Sequence, residues 1–304
     1  MMKGAAKPLL ILAVCASAVA GVGAYAWLES KRPPILEVYV FDTPGTATIF
    51  IRTPADKRIL MDGGSNSDII RKITSILPFY SRRIDKVIAT VADGKHVTGL
   101  VDVLDRYIVD EVVVPGLTLV DLDIASSTDS IYETFIDTAN QKGIALKSAM
   151  NGDTLVLDAS TSMEILFPAL ADDFKYSKAS GPELLFRLSS GSTSIVFAGS
   201  ASPKIQKYVA ADLKPADVLI VSYNPSPSNM AIQLTEKSRP DYLIYSKQIT
   251  STVRIPKASV ASSEKEVQDP TAGIPYNNRF NIRGTGAVKI ESDGVTVRVS
   301  KLKL

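Results

Sequence analysis

One cysteine, one histidine and one tryptophan are all that 304 residues contain of these types. The cysteine, Cys15, lies in an apolar run near the amino terminus, so the rest of the chain forms no internal disulfide and no thiolate zinc site. With His96 as the only imidazole, histidine ligation of any metal cannot exceed one donor. An excess of charge is missing too. Four of the 34 basic residues and one of the 32 acidic residues precede Pro33, which leaves the remainder formally at −1, no electrostatic footprint for nucleic acid. Glycine (18) and proline (17) are at ordinary usage and no short-period repeat is visible, while 45% hydrophobic residues suffice for a packed globular body.

What the chain does have is one uncharged stretch at residues 8–28, whose 21 residues would span roughly 30 Å as a helix, enough for a bilayer core. Lys3 and Lys7 precede it, and Tyr25 and Trp27 stand near its far end, where amphipathic rings favour the headgroup region. These features predict a single-pass anchor, with 1–7 cytoplasmic, 29–34 a linker and 35–304 an extracytoplasmic domain. Lys31 and Arg32 flank the other side, so the charge rule orients the segment only weakly. The competing reading is a cleaved signal, because Ala16-Ser17-Ala18 and Ala24-Tyr25-Ala26 have the small-residue form of a cleavage site. Leu12-Ala13-Val14-Cys15 is a poor lipoprotein box, since Val14 is bulkier than the small residue it requires.

After Pro33-Pro34 the chain alternates β-rich runs with helical patterns. Strands are expected at 35–41, 48–53, 58–61, 87–91, 111–114, 154–158, 163–167, 184–188, 194–197, 218–221 and 242–245, and a terminal hairpin at 287–291 and 295–299 around Asp293-Gly294. Helices are expected at 67–77, where Ile69, Ile70, Ile73, Ile76 and Leu77 share a face, and at 97–107, 129–142 and 203–211. The pattern predicts a two-sheet α/β sandwich. The stretch 250–281, rich in Ser, Pro and Asn, is expected to be a loop.

Three segments carry a resemblance. Phe41-Asp42-Thr43 through Ile51, then Ile59-Leu60-Met61-Asp62-Gly63-Gly64, then Arg83-Ile84-Asp85-Lys86-Val87-Ile88-Ala89-Thr90 resemble, in order and spacing, the start of the ComEC-type metallo-β-lactamase domain. The resemblance implies an αββα sandwich, a zinc-dependent hydrolase site and a connection with DNA uptake. In that family the third segment runs into a His-x-His-x-Asp-His metal loop; here the loop reads Val91-Ala92-Asp93-Gly94-Lys95-His96. Val91 stands at the first histidine, Asp93 at the second, Lys95 at the aspartate, and only His96 matches. Phe197-Ala198-Gly199-Ser200 resembles the strand whose Gly-Asp supplies a bridging carboxylate, with Ser200 in its place, and Tyr223-Asn224 occupy the later double-histidine turn.

Catalytic zinc needs three or four lone-pair donors and an open position for water, which Val91 and a Lys95 ammonium do not provide. The expectation is therefore a metal-free, membrane-anchored protein acting in binding or assembly, with no cofactor and with a protein partner or small ligand of unstated identity. Nucleic acid enters by resemblance alone. The vestigial site comprises Asp62, Asp93, Lys95, His96, Ser200, Tyr223 and Asn224, of which Asp62, Asp93 and His96 are the weak metal candidates. Asp62 is expected to hold its loop by accepting backbone hydrogen bonds, His96 to cap a helix or pair with Asp62 or Asp93, and Lys95 either to fill the vacated site as a fixed cation or to stay solvated. The alternatives are a divergent phosphodiesterase or nuclease, and a scaffold of a surface apparatus.

Overall fold

The computed structural model describes residues 34–78, 80–125, 128–223, 228–246, 269–283 and 286–303, with 13–17, 19–21 and 23 at the amino-terminal end. The chain divides into Met1–Pro34 and Ile35–Leu304. In the first unit the described residues are helical and Cys15 is exposed. No helix among the described residues is long and apolar enough to cross a membrane, and most of the anchor expected at 8–28 lies outside the described residues.

The second unit opens with an antiparallel meander of β1 (Leu36–Asp42), β2 (Ala47–Arg52) and β3 (Arg58–Met61). Parallel strands β4 (Arg83–Ile88), β5 (Ile108–Pro115) and β6 (Ala145–Ala149) extend it, and the crossovers carry α1 (Asp68–Ile76), α2 (Gly94–Arg106) and α3 (Ser130–Gln141). The terminal hairpin of β14 (Ala287–Ser292) and β15 (Val297–Leu302) returns to pair with β1, so the first sheet runs β15-β14-β1-β2-β3-β4-β5-β6. The second sheet is built from β7 (Thr154–Val156), β8 (Thr161–Phe167), β9 (Leu185–Ser190), β10 (Thr193–Phe197), β11 (Val218–Val221), β12 (Tyr242–Tyr245) and β13 (Arg279–Asn281), neighbours in that order. Its parallel half carries α4 (Pro203–Ala210) and α5 (Ile232–Ser238).

Strand alternation distributes the apolar side chains into three cores. Val38, Val40, Ile49, Ile51 and Met61 of the first sheet meet Phe186, Leu188, Ile195, Phe197 and Ile220 of the second. Their sequence neighbours Phe41, Phe50 and Leu60 point the other way, onto Ile69, Ile73, Val97 and Leu100 of α1 and α2. Leu185, Val196 and Leu219 likewise pack on Ile205 and Leu234 of α4 and α5. The layering is helix, sheet, sheet, helix, which meets the expectation of a two-sheet α/β sandwich.

The differences from expectation are local. β4 begins at Arg83 and ends at Ile88, whereas the apolar run pointed to 87–91. Its early half is disguised by charges that are paired across the sheet, as Lys86 is with Glu111, and its apparent end is drawn out of the ladder at Thr90. β6 was not visible in sequence because four of its five residues are exposed at a sheet edge and carry no alternation. The part of 250–281 that is described contains the short strand β13, so that segment is not wholly irregular.

The loop after β3 lies directly on α2. A Cβ on Gly63 would sit 2.4 Å from the Leu100 nitrogen, and one on Gly99 would sit 2.2 Å from the Gly63 carbonyl oxygen. The two backbones are latched by Gly63 N–H donating to His96 O at 2.7 Å and Gly99 N–H to Gly64 O at 3.1 Å. Only glycine allows this approach. Gly99→Ala is expected to cost about 3 kcal/mol or more in urea unfolding, whereas Gly273→Ala, with open space around it, stays within about 0.5 kcal/mol. Equal midpoints for the two variants would contradict the close contact.

Candidate functional site

The C-terminal ends of the parallel strands β3, β4, β10 and β11 lead into loops that carry the residues singled out from the sequence. Asp62 follows β3 with φ 58°, a left-handed conformation that a short polar side chain tolerates. It is 4% exposed, and both its oxygens are occupied by one residue. Thr90 donates its N–H to Oδ1 at 2.8 Å and its hydroxyl to Oδ2 at 2.7 Å. The Thr90 carbonyl accepts from Leu184 N–H of the second sheet at 2.7 Å, which places Glu183 beside the same loop.

Asp93 is the N-cap of α2, its Oδ1 accepting from His96 N–H at 3.1 Å. The same oxygen lies 2.6 Å from His96 Nδ1. His96, 6% exposed, therefore sits in the first turn with its ring held back against its own cap. Burial disfavours the charged imidazole, but Asp62, the Asp93 hydrogen bond and charge, and Glu183 together raise its pKa above the ordinary 6.5. Asp93, which burial alone would raise, is held below the usual carboxylate range by His96. Asp62 is raised, because its complete burial outweighs the opposing pull of His96 and the Thr90 hydrogen bonds.

Glu183 was missed in the sequence. It precedes β9, is 7% exposed, and is pushed up to about 7 by burial against the Ser200 hydrogen bond and His96. Ser200 donates its hydroxyl to Glu183 Oε2 at 3.1 Å. The local signal was weak: a Gly181-Pro182 turn followed by an acid reads as surface, and only the unbroken apolar run behind it marks the position as enclosed.

Asp93, His96, Glu183 and Ser200 line one cleft of about 490 Å³, together with Val91, which presents hydrocarbon where the resembled family has its first histidine. Tyr223 belongs to a separate cavity; its hydroxyl accepts from Gln206 Nε2 at 2.7 Å, and burial pushes its pKa well up. Asn224 lies outside the described residues. Lys95 is exposed, makes no ion pair with a described residue and does not line the cleft, so of the two alternatives the solvated lysine is the one the structure shows. Adjacent helical positions point about 100° apart, so once His96 faces inward Lys95 turns to water, where its ammonium keeps its hydration. The imidazole is the enclosed basic group.

The donor set does not suit a metal. Among the described residues no three His, Cys, Asp or Glu side chains are placed to hold one. Both Asp62 oxygens are already committed to Thr90.

The cluster sets a pH dependence. The folded pKa of Glu183, about 7, exceeds its ordinary 4.5, so between these values the unfolded chain ionises first and stability falls as pH rises. His96, raised above 6.5, acts in the same direction: its contribution is complete below 6.5 and is lost as pH climbs through the folded value. Asp93 works oppositely, its contribution disappearing only in acid below about 4. Stability is therefore expected to drop by on the order of 2 kcal/mol from pH 5 to pH 8. Glu183→Gln should flatten that slope in thermal scans, and an unchanged slope would remove Glu183 from the titrating set.

No family model and no curated protein matches the sequence. Among solved structures the chain is similar to the metallo-beta-lactamase fold protein YhfI from Bacillus subtilis, at TM-score 0.49 and 14% identity over 69% of this chain and 85% of that one. Zn(2+)-bound PqqB from Methylobacterium extorquens aligns at TM-score 0.49 and 11% identity, covering 69% and 88%. The short form of human tRNase Z aligns at TM-score 0.44 and 15% identity, covering 70% and 93%.

Proposed function

We propose that this chain is a metallo-β-lactamase-fold protein that works without metal and keeps the cleft as a binding site. The observation that carries the reading is the state of its single imidazole. His96 is the chain's one imidazole, its Nδ1 is held by Asp93 at 2.6 Å, and among the described residues no three His, Cys, Asp or Glu side chains are placed to hold an ion with it. The motif substitutions agree: Val91 brings no lone pair, and Ser200 is engaged by Glu183. The ComEC-type assignment rests on the three sequence segments, and with it the connection with DNA uptake; the anchor at 8–28 and the extracytoplasmic domain rest on the uncharged run and its flanks.

One observation favours a second reading. Ser200 and the near-neutral Glu183 stand together in an open cleft, as a proton-transfer pair in a divergent hydrolase would. Its test is cleavage of a simple phosphodiester or ester by the full-length protein, lost in Ser200→Ala.

Full-length protein purified without chelator is expected to contain well under one equivalent of zinc, manganese or iron by elemental analysis. A combined Val91→His, Asp93→His and Ser200→Asp variant would put three imidazoles and a new carboxylate around one cleft and is expected to titrate about one zinc, whereas Val91→His alone binds none. Stoichiometric metal in the wild type would overturn the reading. The anchor is tested separately: the chain should remain in the membrane fraction through carbonate washing, and a mature amino terminus at Val19 or Trp27 would show a cleaved signal instead.

A further inference from the structure

The cleft combines two surfaces of different character. Val91, Ala92, Leu119, Val120, Ala125 and Pro182 form an apolar collar. Beneath it the nearly enclosed groups are His96 and Glu183, with Asp93 beside them and Asp62 immediately behind, coupled to His96 and Glu183 by charge. Three carboxyl groups thus face one imidazole. Lys178 is the only lysine in the lining, and it stands exposed at the mouth.

Glu183 is the member that its surroundings leave short. Asp62 receives two donors and Asp93 receives the ring and backbone of His96, whereas among the described residues Glu183 receives only the Ser200 hydroxyl, at 3.1 Å and to Oε2 alone. A carboxyl group has about four acceptor sites, and Glu183 Oε1, with no protein donor among the described residues, is not sealed away from the cleft. Burial pushes the group up to about 7. The missing partner is a donor, preferably cationic, delivered from the cleft.

We propose that the cleft binds a primary amine on an apolar body, the ammonium seated between Glu183, Asp93 and the Ser200 hydroxyl oxygen and the body held by the collar. An ammonium offers three N–H donors and the charge that the floor lacks, while a volume near 490 Å³ is ordinary for a small organic ligand. A carboxylate or phosphate is disfavoured at the same depth, because three carboxyl groups, Asp62, Asp93 and Glu183, already surround the one imidazole there. The amine rests on the metal-free reading above, since a dication would compete for the same carboxyls.

The probes are 2-phenylethylamine, its neutral counterpart 2-phenylethanol and the anion phenylacetate, titrated calorimetrically into full-length protein of known metal content before and after chelation. The amine is expected to bind at least tenfold more tightly than the alcohol, with no phenylacetate binding. Glu183→Gln and Ser200→Ala, each checked for folding by circular dichroism, should weaken the amine by tenfold and by a few-fold, and Lys301→Ala, exposed on the terminal strand and outside the cleft lining, should leave it unchanged. Absence of amine preference in metal-free wild type, or preference that survives Glu183→Gln, overturns the amine site while the metal-free reading stands. Amine binding that disappears on chelation overturns both.

Discussion

The carboxylate of Asp62 is the constraint around which the site is arranged. It is buried and doubly bonded to Thr90, and Thr90 is in turn bonded through its carbonyl to Leu184 of the opposite sheet. One residue thereby fixes the end of β3, the exit from β4 and the entry to β9. The Gly63 and Gly99 backbones then bring α2 down onto the same loop, so its first turn cannot avoid the carboxylate. The placement of His96 follows from backbone contacts before any charge is considered.

Charge decides which side chain that turn presents. An isolated ion is expensive to enclose, and a removed partner exposes the whole cost to the group left behind. Imidazole meets the requirement better than ammonium because it is flat, loses less hydration and takes Asp93 on one nitrogen while its charge reaches Asp62 and Glu183. Lys95, one position earlier, keeps its water. Asp93 completes the arrangement by doing two things with a single oxygen, capping α2 and orienting the ring.

Much of this was legible in sequence where a local rule governs and lost where tertiary contact governs. Strands buried on both faces, such as β1 and β11, read as continuous apolar runs, and Asp293-Gly294 announced the final turn through donors to Asp293 from Val295 and Thr296. The Asp62-Gly63-Gly64 loop was recognisable because a left-handed aspartate and close-packed glycines need those residues. Glu183 was not, since its neighbours His96 and Ser200 are far away in sequence and no short motif unites them. For Lys95 the sequence left two alternatives open, because adjacency in a motif does not say which way a helical side chain turns, and the structure shows the solvated one. Tyr223 was grouped with the cleft for a similar reason and instead answers to Gln206, whose amide also reaches Ala201 O and Asn229 O.

The persistence of the cleft is the last consequence of this arrangement. Its walls are held by contacts of their own. Leu119 is wedged against Gly181, where even a methyl group would come within 3.1 Å, and Asp129 at the margin caps α3 through the N–H groups of Ile131 and Tyr132. The collar therefore stands independently of the polar groups on the floor. An enclosed, one-donor glutamic acid at the base of an open cavity lowers stability, since apolar residues of similar volume would spare the desolvation. The fold already has three cores of that apolar kind, so the polar floor contributes little to holding the sandwich together. What it offers is an acid-rich surface at the bottom of a hydrophobic collar, and the proposed amine site rests on that pairing.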